Sequence, residues 1–172
     1  MTQEAFIKKL NRKKYPYRIE GDKIIVTYTT RLRSVDLTKL RSLPPGVVFE
    51  NNGHVWLDLL ESLPPGVEFK NIGDVVLDSL GNLSSVVVFE NRGNVDLPVL
   101  TSLTLGVEFS NEGNVDLPQL TSIPPGVKFS NKSYVYLKSL VGGYFHDWRG
   151  NIKGINSNRL LNLMISKGLF ER

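Results

Sequence analysis

Val55-Trp56-Leu57-Asp58-Leu59-Leu60-Glu61-Ser62-Leu63-Pro64-Pro65-Gly66-Val67-Glu68-Phe69-Lys70-Asn71-Ile72-Gly73-Asp74 is one period of the unit that decides this fold. Its first valine recurs at Val35, Val55, Val75, Val95, Val115 and Val135, and its leucine at Leu37, Leu57, Leu77, Leu97, Leu117 and Leu137. Between them run Val47, Val67, Val87, Val107 and Val127, then Phe49, Phe69, Phe89, Phe109 and Phe129. A fixed period of this length is the signature of a solenoid, in which each coil covers the core of the next.

Two stretches within the period alternate apolar with polar: Val-x-Leu and Val-x-Phe-x-Asn. Alternation places one residue in and the next out, as in a strand with one buried face. The leucine-rich stretch between them is too short before Pro-Pro for an α-helix, so a short irregular or 3₁₀ segment is expected. Pro-Pro stiffens one corner in most coils, and Gly46, Gly66, Gly106 and Gly126 close that corner, where a positive φ is expected. The other corner is Asn-x-Gly. Asn51, Asn71, Asn91, Asn111 and Asn131 fall in register, and are read as a structural ladder that bonds backbone groups the corner leaves unpaired.

A stack of coils exposes strand edges at both ends. The flanks read as the remedy. Phe6, Ile7 and Leu10 lie at helical spacing among lysines in residues 2–14, and Tyr15 to Thr30 alternates around a turn at Gly21-Asp22. At the other end, Leu160, Leu161, Met164, Ile165 and Leu169 follow a helical pattern after Gly142-Gly143 breaks the repeat. The expected organisation is an N-terminal cap of a short helix and β lead-in over 1–34, a repeat solenoid over 35–141, and a C-terminal cap helix over 142–172.

The stretch Leu117-Pro118-Gln119-Leu120-Thr121-Ser122-Ile123-Pro124-Pro125-Gly126-Val127 resembles short-period leucine-rich-repeat-like solenoid proteins of bacteria and phages. The resemblance covers about 17–140. It implies binding and scaffolding by a rigid repeat, not one activity. The unit lacks L-x-x-L-x-L-x-x-N, and its Asn follows Phe by two, which fits a straighter solenoid with two short strands per coil. The expected class is mainly β: a right-handed β-solenoid, leucine-rich-repeat-like, with about six coils, an N-terminal helix plus β cap and a C-terminal helical cap.

The net charge of +4 is uneven. Residues 1–20 carry six Lys/Arg against two Asp/Glu, and residues 138–172 the same, while 21–137 carry nine against thirteen. The ends are basic and the body acidic, so the overall charge does not argue for a nucleic-acid groove along the body. No run of eighteen apolar residues suggests a membrane span. The N-terminus has no apolar stretch of the secretory kind and the chain has no cysteine, so a cytoplasmic protein is expected.

Chemistry-bearing motifs are scarce. Phosphate loops and metal-ligand spacings are absent. His146-Asp147 are adjacent and lack a nucleophile motif, so no enzyme activity and no cofactor is expected. Asp58, Asp78, Asp96 and Asp116 form a column of carboxylates read as a solvated face. The outward positions of the Val-x-Leu strand are Asp36, Trp56, Val76, Asp96, Asp116 and Tyr136, with His54 and Tyr134 beside them. Aromatics with flanking charges suit a binding hot spot, so Trp56, Val76, His54, Tyr134 and Tyr136 are the partner-binding candidates. Lys8, Lys9, Arg12, Lys13, Lys14 and Arg18 are the anion-binding candidates.

The expected function is a non-enzymatic module for protein–protein interaction that presents a rigid sheet face to an unknown protein partner, as a bacterial or phage regulator or inhibitor. The alternatives are a nucleic-acid or anion binder through the basic termini, and a self-assembling structural component of a virion.

Overall fold

The computed structural model describes residues 1–28, 34–83, 87–124, 127–130, 132–141 and 143–146. It is a β-solenoid of about five turns built from two parallel sheets around one continuous core. One sheet holds Val47–Phe49, Glu68–Phe69, Val88–Phe89, Glu108–Phe109 and Lys128–Phe129. It is called the Phe sheet below. The other holds Val35–Asp36, Val55–Trp56, Val75–Val76, Val95–Asp96, Val115–Asp116 and Tyr134–Leu137. It is the Leu sheet, after the leucine that follows the valine in each coil.

Register is set by the period. Every strand pairs with the residue twenty positions on, as Val55 with Val75 and Phe69 with Phe89. The inward phenylalanines therefore stack as a column. Ring centroids from Phe49 to Phe129 are 5.3, 5.1, 4.9 and 5.0 Å apart with interplanar angles of 5–7°. The valines and leucines of both sheets close over this column and are almost all fully buried. A lone coil has no partner for either sheet edge. Its backbone donors and acceptors are satisfied only by its neighbours.

Between the sheets the leucine-rich stretch is a tight turn and not a helix. Leu60 N–H bonds Leu57 O at 3.0 Å, and Leu40, Leu80, Leu100 and Leu120 repeat the bond to the leucine three before. The corner that follows, Pro-Pro-Gly in two coils and Thr104-Leu105-Gly106 in a third, needs a left-handed glycine: Gly46, Gly66 and Gly106 have φ of 72, 74 and 76°. Gly126 and the corner at 84–86 lie outside the described residues. At the Asn-x-Gly corner the glycines of the inner coils serve closeness, while Ser133 takes the position in the last coil. A Cβ on Gly73, Gly93 or Gly113 would stand 2.5, 2.4 or 2.5 Å from the backbone of the coil before it.

The N-terminal cap forms as its pattern predicts. The helix spans Gln3–Lys13, with Thr2 Oγ1 accepting from Ala5 N–H and Lys14 closing it in the left-handed region. Phe6 and Leu10 are fully buried and seal the first coil. The strands Tyr17–Glu20 and Lys23–Val26 form an antiparallel hairpin around Gly21 and Asp22. Its second strand starts the parallel stack by pairing with Val47–Phe49.

The helix also protects an edge. Val35–Asp36 is the outer strand of the Leu sheet. The Tyr15 hydroxyl accepts from Asp36 N–H at 2.9 Å, and Lys13 Nζ donates to Asp36 O at 2.6 Å. Two backbone groups that would template another strand are thereby occupied.

Three features depart from expectation. The alternation in Tyr17–Glu20 does not bury Ile19, which is 58% exposed because this strand lies at the outer edge of the Phe sheet. Val48, at an outward position, is buried beside Ile25, with which it pairs across the hairpin junction. Lys23, on the same face as Ile25, reaches over that row to Glu68 at 2.7 Å. At the C-terminal end the stack continues into an antiparallel strand, Gly143–His146, paired with Tyr134–Leu137. The expected cap helix, with Leu160 to Leu169, lies outside the described residues.

Candidate functional site

The outward row of the Leu sheet runs Asp36, Trp56, Val76, Asp96, Asp116, Tyr136, held in register by five parallel pairings. Adjacent rows sit about 4.8 Å apart, so Trp56 and Tyr136 are roughly 19 Å apart along the stack. Trp56, Val76, Asp96, Asp116 and Tyr136 are all half-buried. The five partner-binding candidates thus divide. His54, Trp56 and Val76 form one cluster, Tyr134 and Tyr136 another, and Asp96 and Asp116 lie between them. The His54 ring stacks on Trp56 at 5.4 Å and 21°.

His54 has a second role that its sequence position hides. Ser34 Oγ accepts from His54 N–H, His54 Nδ1 from Asp74 N–H, Asp74 Oδ1 from Asn94 N–H, Asn94 Oδ1 from Asn114 N–H, and Asn114 Oδ1 from Tyr134 N–H. Distances are 3.2, 3.0, 2.7, 2.9 and 3.2 Å. Each corner side chain thereby satisfies the backbone of the next coil. The signal was present in the sequence as chemistry: Ser, His, Asp, Asn and Asn all carry an acceptor within reach of their own corner.

The asparagines form a second, buried ladder beside it. Asn71 Nδ2 donates to Gly73 O at 2.7 Å and to Gly53 O of the preceding coil at 3.2 Å. Asn91 and Asn111 repeat the pattern, and Asn51 bonds Gly53 O and His54 O. The Oδ1 atoms of Asn71, Asn91 and Asn111 are buried with no donor among the described residues, a desolvation cost set against those donor bonds. Asn131 lies outside the described residues.

Charge is distributed very differently on the two sheets. On the Phe sheet every outward glutamate is paired: Arg18 meets Glu20 and Glu50, Lys23 and Lys70 meet Glu68, Lys70 meets Glu90, and Lys128 meets Glu108. On the Leu sheet Asp36 has Lys13, while Asp74 Oδ2 lies 3.1 Å from His54 Nδ1, the atom that accepts from Asp74 N–H. Among the described residues no cation stands within ion-pair distance of Asp58, Asp78, Asp96 or Asp116.

The consequence is a raised affinity for protons. Partial burial, then Asp116, Asp74 and Asp78, push the Asp96 carboxyl up to about 6 from an ordinary 3.8. Burial raises Asp116, and burial followed by Asp78 raises Asp58. The native state therefore binds a proton more tightly than the unfolded chain does. The cost of the ionised Asp96 is fully present above about pH 6 and is relieved as pH falls towards 3.8. Asp96→Asn is expected to raise the melting temperature at pH 7 by about 2–4 °C, after discounting the shift for solvent exposure to about 1 kcal/mol. The gain should shrink steadily between pH 6 and pH 4 in calorimetry of the two proteins. A gain independent of pH would contradict the assignment.

The anion-binding candidates are partly committed elsewhere. Lys13 holds the edge strand and Arg18 bridges Glu20 and Glu50. Lys8, Arg12 and Lys14 are exposed on or just beyond the capping helix, and Lys9 is half-buried. His146 ends the last described strand, and Asp147 lies outside the described residues. Among the described residues no group of three acidic or histidine side chains converges as a metal site, and no helix is long and apolar enough to cross a membrane.

No protein-family model matches the chain, and neither a curated protein nor a solved structure is significantly similar to it. The twenty-residue β-solenoid with its phenylalanine column therefore stands on its own geometry.

Proposed function

We propose that the chain is a non-enzymatic interaction module that presents the outward face of the Leu sheet, centred on Trp56 and Val76, to a protein partner. The observation that carries this reading is the contrast between the two sheets. The Phe sheet pairs each of its outward glutamates with a cation, around the outward Ile25, Val48 and Val88. The Leu sheet offers an indole stacked on an imidazole, an adjacent valine, and carboxylates that have no cation at ion-pair distance among the described residues. Trp and neighbouring charge are what binding hot spots are made of. Both strands and corners are locked by the stack, so binding would order little that is not already ordered. The resemblance to short-period leucine-rich-repeat-like proteins of bacteria and phages supports a role as a regulator or inhibitor of another protein.

The test is affinity capture from the lysate of the native host with the wild type and with Trp56→Ser/Tyr136→Ser, washed in high salt. The double variant should lose the captured protein while melting within a few degrees of wild type. Capture undiminished by both substitutions would sink this face as the binding surface. Nucleic acid held only at low salt, and lost when Lys8, Lys9 and Lys14 are changed to Ala, would move the assignment to the basic end.

A further inference from the structure

The carboxylates of the Leu sheet are the least economical feature of the fold. Like charges directly opposite on neighbouring strands destabilise a sheet, and Asp96 faces Asp116 across one parallel pairing. Asp78 and Asp74 add their charge to the same spot. The fold neutralises such charges elsewhere with little difficulty. Lys128 answers Glu108, Lys132 answers Glu112 and Arg41 answers Glu61, each from the coil twenty residues away. The equivalent places beside Asp96 and Asp116 hold Val76 and Tyr136 instead. Asp58, Asp78, Asp96 and Asp116, without an ion pair among the described residues, thus gather on one face, beside its apolar cluster.

We propose that the partner segment this face receives is basic: a polypeptide run rich in Lys or Arg that seats its cations over Asp96, Asp116 and the neighbouring Asp78 and lays an apolar side chain on Trp56 and Val76. The inference rests on the reading of the Leu sheet as the binding surface and adds the chemistry of the partner. Charge complementarity selects it. An anionic strand or lipid surface is repelled by these carboxylates. A compact divalent ion finds no three converging ligands among the described residues. Lysine and arginine side chains are long enough to bridge carboxylates set at strand spacing, and their stems can cover Val76 while the heads pair. Partner cations would remove the repulsion that the isolated protein carries, so part of the binding energy is relief of that cost.

The probe is a fluorescein-labelled deca-lysine peptide, read by anisotropy against the full chain, with deca-glutamate as the control. The chain as a whole is positive, +4, so attraction of a polycation must come from a local surface. Wild type should bind deca-lysine and not deca-glutamate. Asp96→Asn/Asp116→Asn should weaken binding by about tenfold or more, and Glu108→Gln, on the other sheet, should leave it unchanged. The double variant removes a repulsion, so it should melt at or above wild type, and lost binding would not reflect a lost fold. Equal binding by the double variant, an equal loss with Glu108→Gln, or equal binding of deca-glutamate would overturn the proposal. So would competition by spermine at the concentration at which deca-lysine itself competes, which would mark a small-polyamine site. If Asp96→Asn/Asp116→Asn keeps the partner captured from lysate while Trp56→Ser/Tyr136→Ser loses it, the face stands and its basic partner falls. If both variants keep it, the face itself falls.

Discussion

Gly93→Ala should leave the chain without a native-like cooperative unfolding transition. A Cβ at this position would lie 2.4 Å from Gly73 C, 2.6 Å from Asp74 N and 2.6 Å from Asp74 Oδ1. The first two are backbone atoms of the coil before, so no side-chain rotation relieves the contact. Gly93 has no left-handed φ, and the penalty is therefore one of distance and not of backbone conformation. Relief requires the coils to part, which breaks the Arg92 N–H to Asn71 O bond, the Asn94 N–H to Asp74 bond and the Asn91 ladder together. A loss above about 4 kcal/mol is expected, in the range reserved for disrupted cores and networks. Urea denaturation followed by circular dichroism reads it. Gly81→Ala is the internal control, because a Cβ there meets nothing within 4 Å. A Gly93→Ala midpoint close to that of Gly81→Ala would refute the close-packed corner.

Phe89→Ala carries the second large effect. Phe89 is fully buried, and its ring stacks on Phe69 at 5.1 Å and on Phe109 at 4.9 Å. Truncation opens a gap bounded by two rigid rings that cannot collapse into it, because each is held in its own strand register. Removal of a buried phenylalanine costs about 3–5 kcal/mol, and the two ring pairs place this site at the upper end. Phe129 stacks on Phe109 alone among the described residues and is only partly buried, so Phe129→Ala should cost clearly less. Equal losses at the two positions would show that the column contributes no more than area burial.

The repeat was readable because solenoid physics writes itself in sequence. Each layer meets the same neighbours, so Val55, Leu57, Val67 and Phe69 recur wherever a coil needs them. Local alternation then separates inward from outward residues without further information, and Pro-Pro-Gly announces its corner by backbone chemistry. What the sequence hid depends on relations between layers of unlike residues. The acceptor ladder through Ser34, His54, Asp74, Asn94 and Asn114 has no recurring residue type, only a recurring capacity to accept a hydrogen bond. Val48 is buried and Ile19 exposed because of where the hairpin lies in the Phe sheet, which alternation within one strand does not encode. The antiparallel strand Gly143–His146 lacks the repeat and begins at the second of two glycines, so no period marks it.

The candidate face divides in the same way. Trp56, Val76, Asp96, Asp116 and Tyr136 could be aligned from the period alone, and the structure keeps them in that row. Which carboxylates would find cations could not be read. Lys23 reaches Glu68 across an intervening strand, forty-five residues away in sequence. Only with those pairings in place does the unpaired group on the Leu sheet stand out against the rest of the surface.

All of this rests on the claim that each twenty-residue coil is a complete, interchangeable layer. The most direct measurement is to excise residues 71–90, one full period, and separately residues 71–80, half of one, and to follow both by circular dichroism and thermal unfolding. Full-period excision joins Lys70 to Asn91 and restores every register, so that protein should fold cooperatively with a modestly lower melting temperature. Half-period excision sets Val-x-Leu strands against Val-x-Phe strands and should not fold. A half-period deletion that folds as well as the full one, or a full-period deletion that does not fold, would contradict the solenoid.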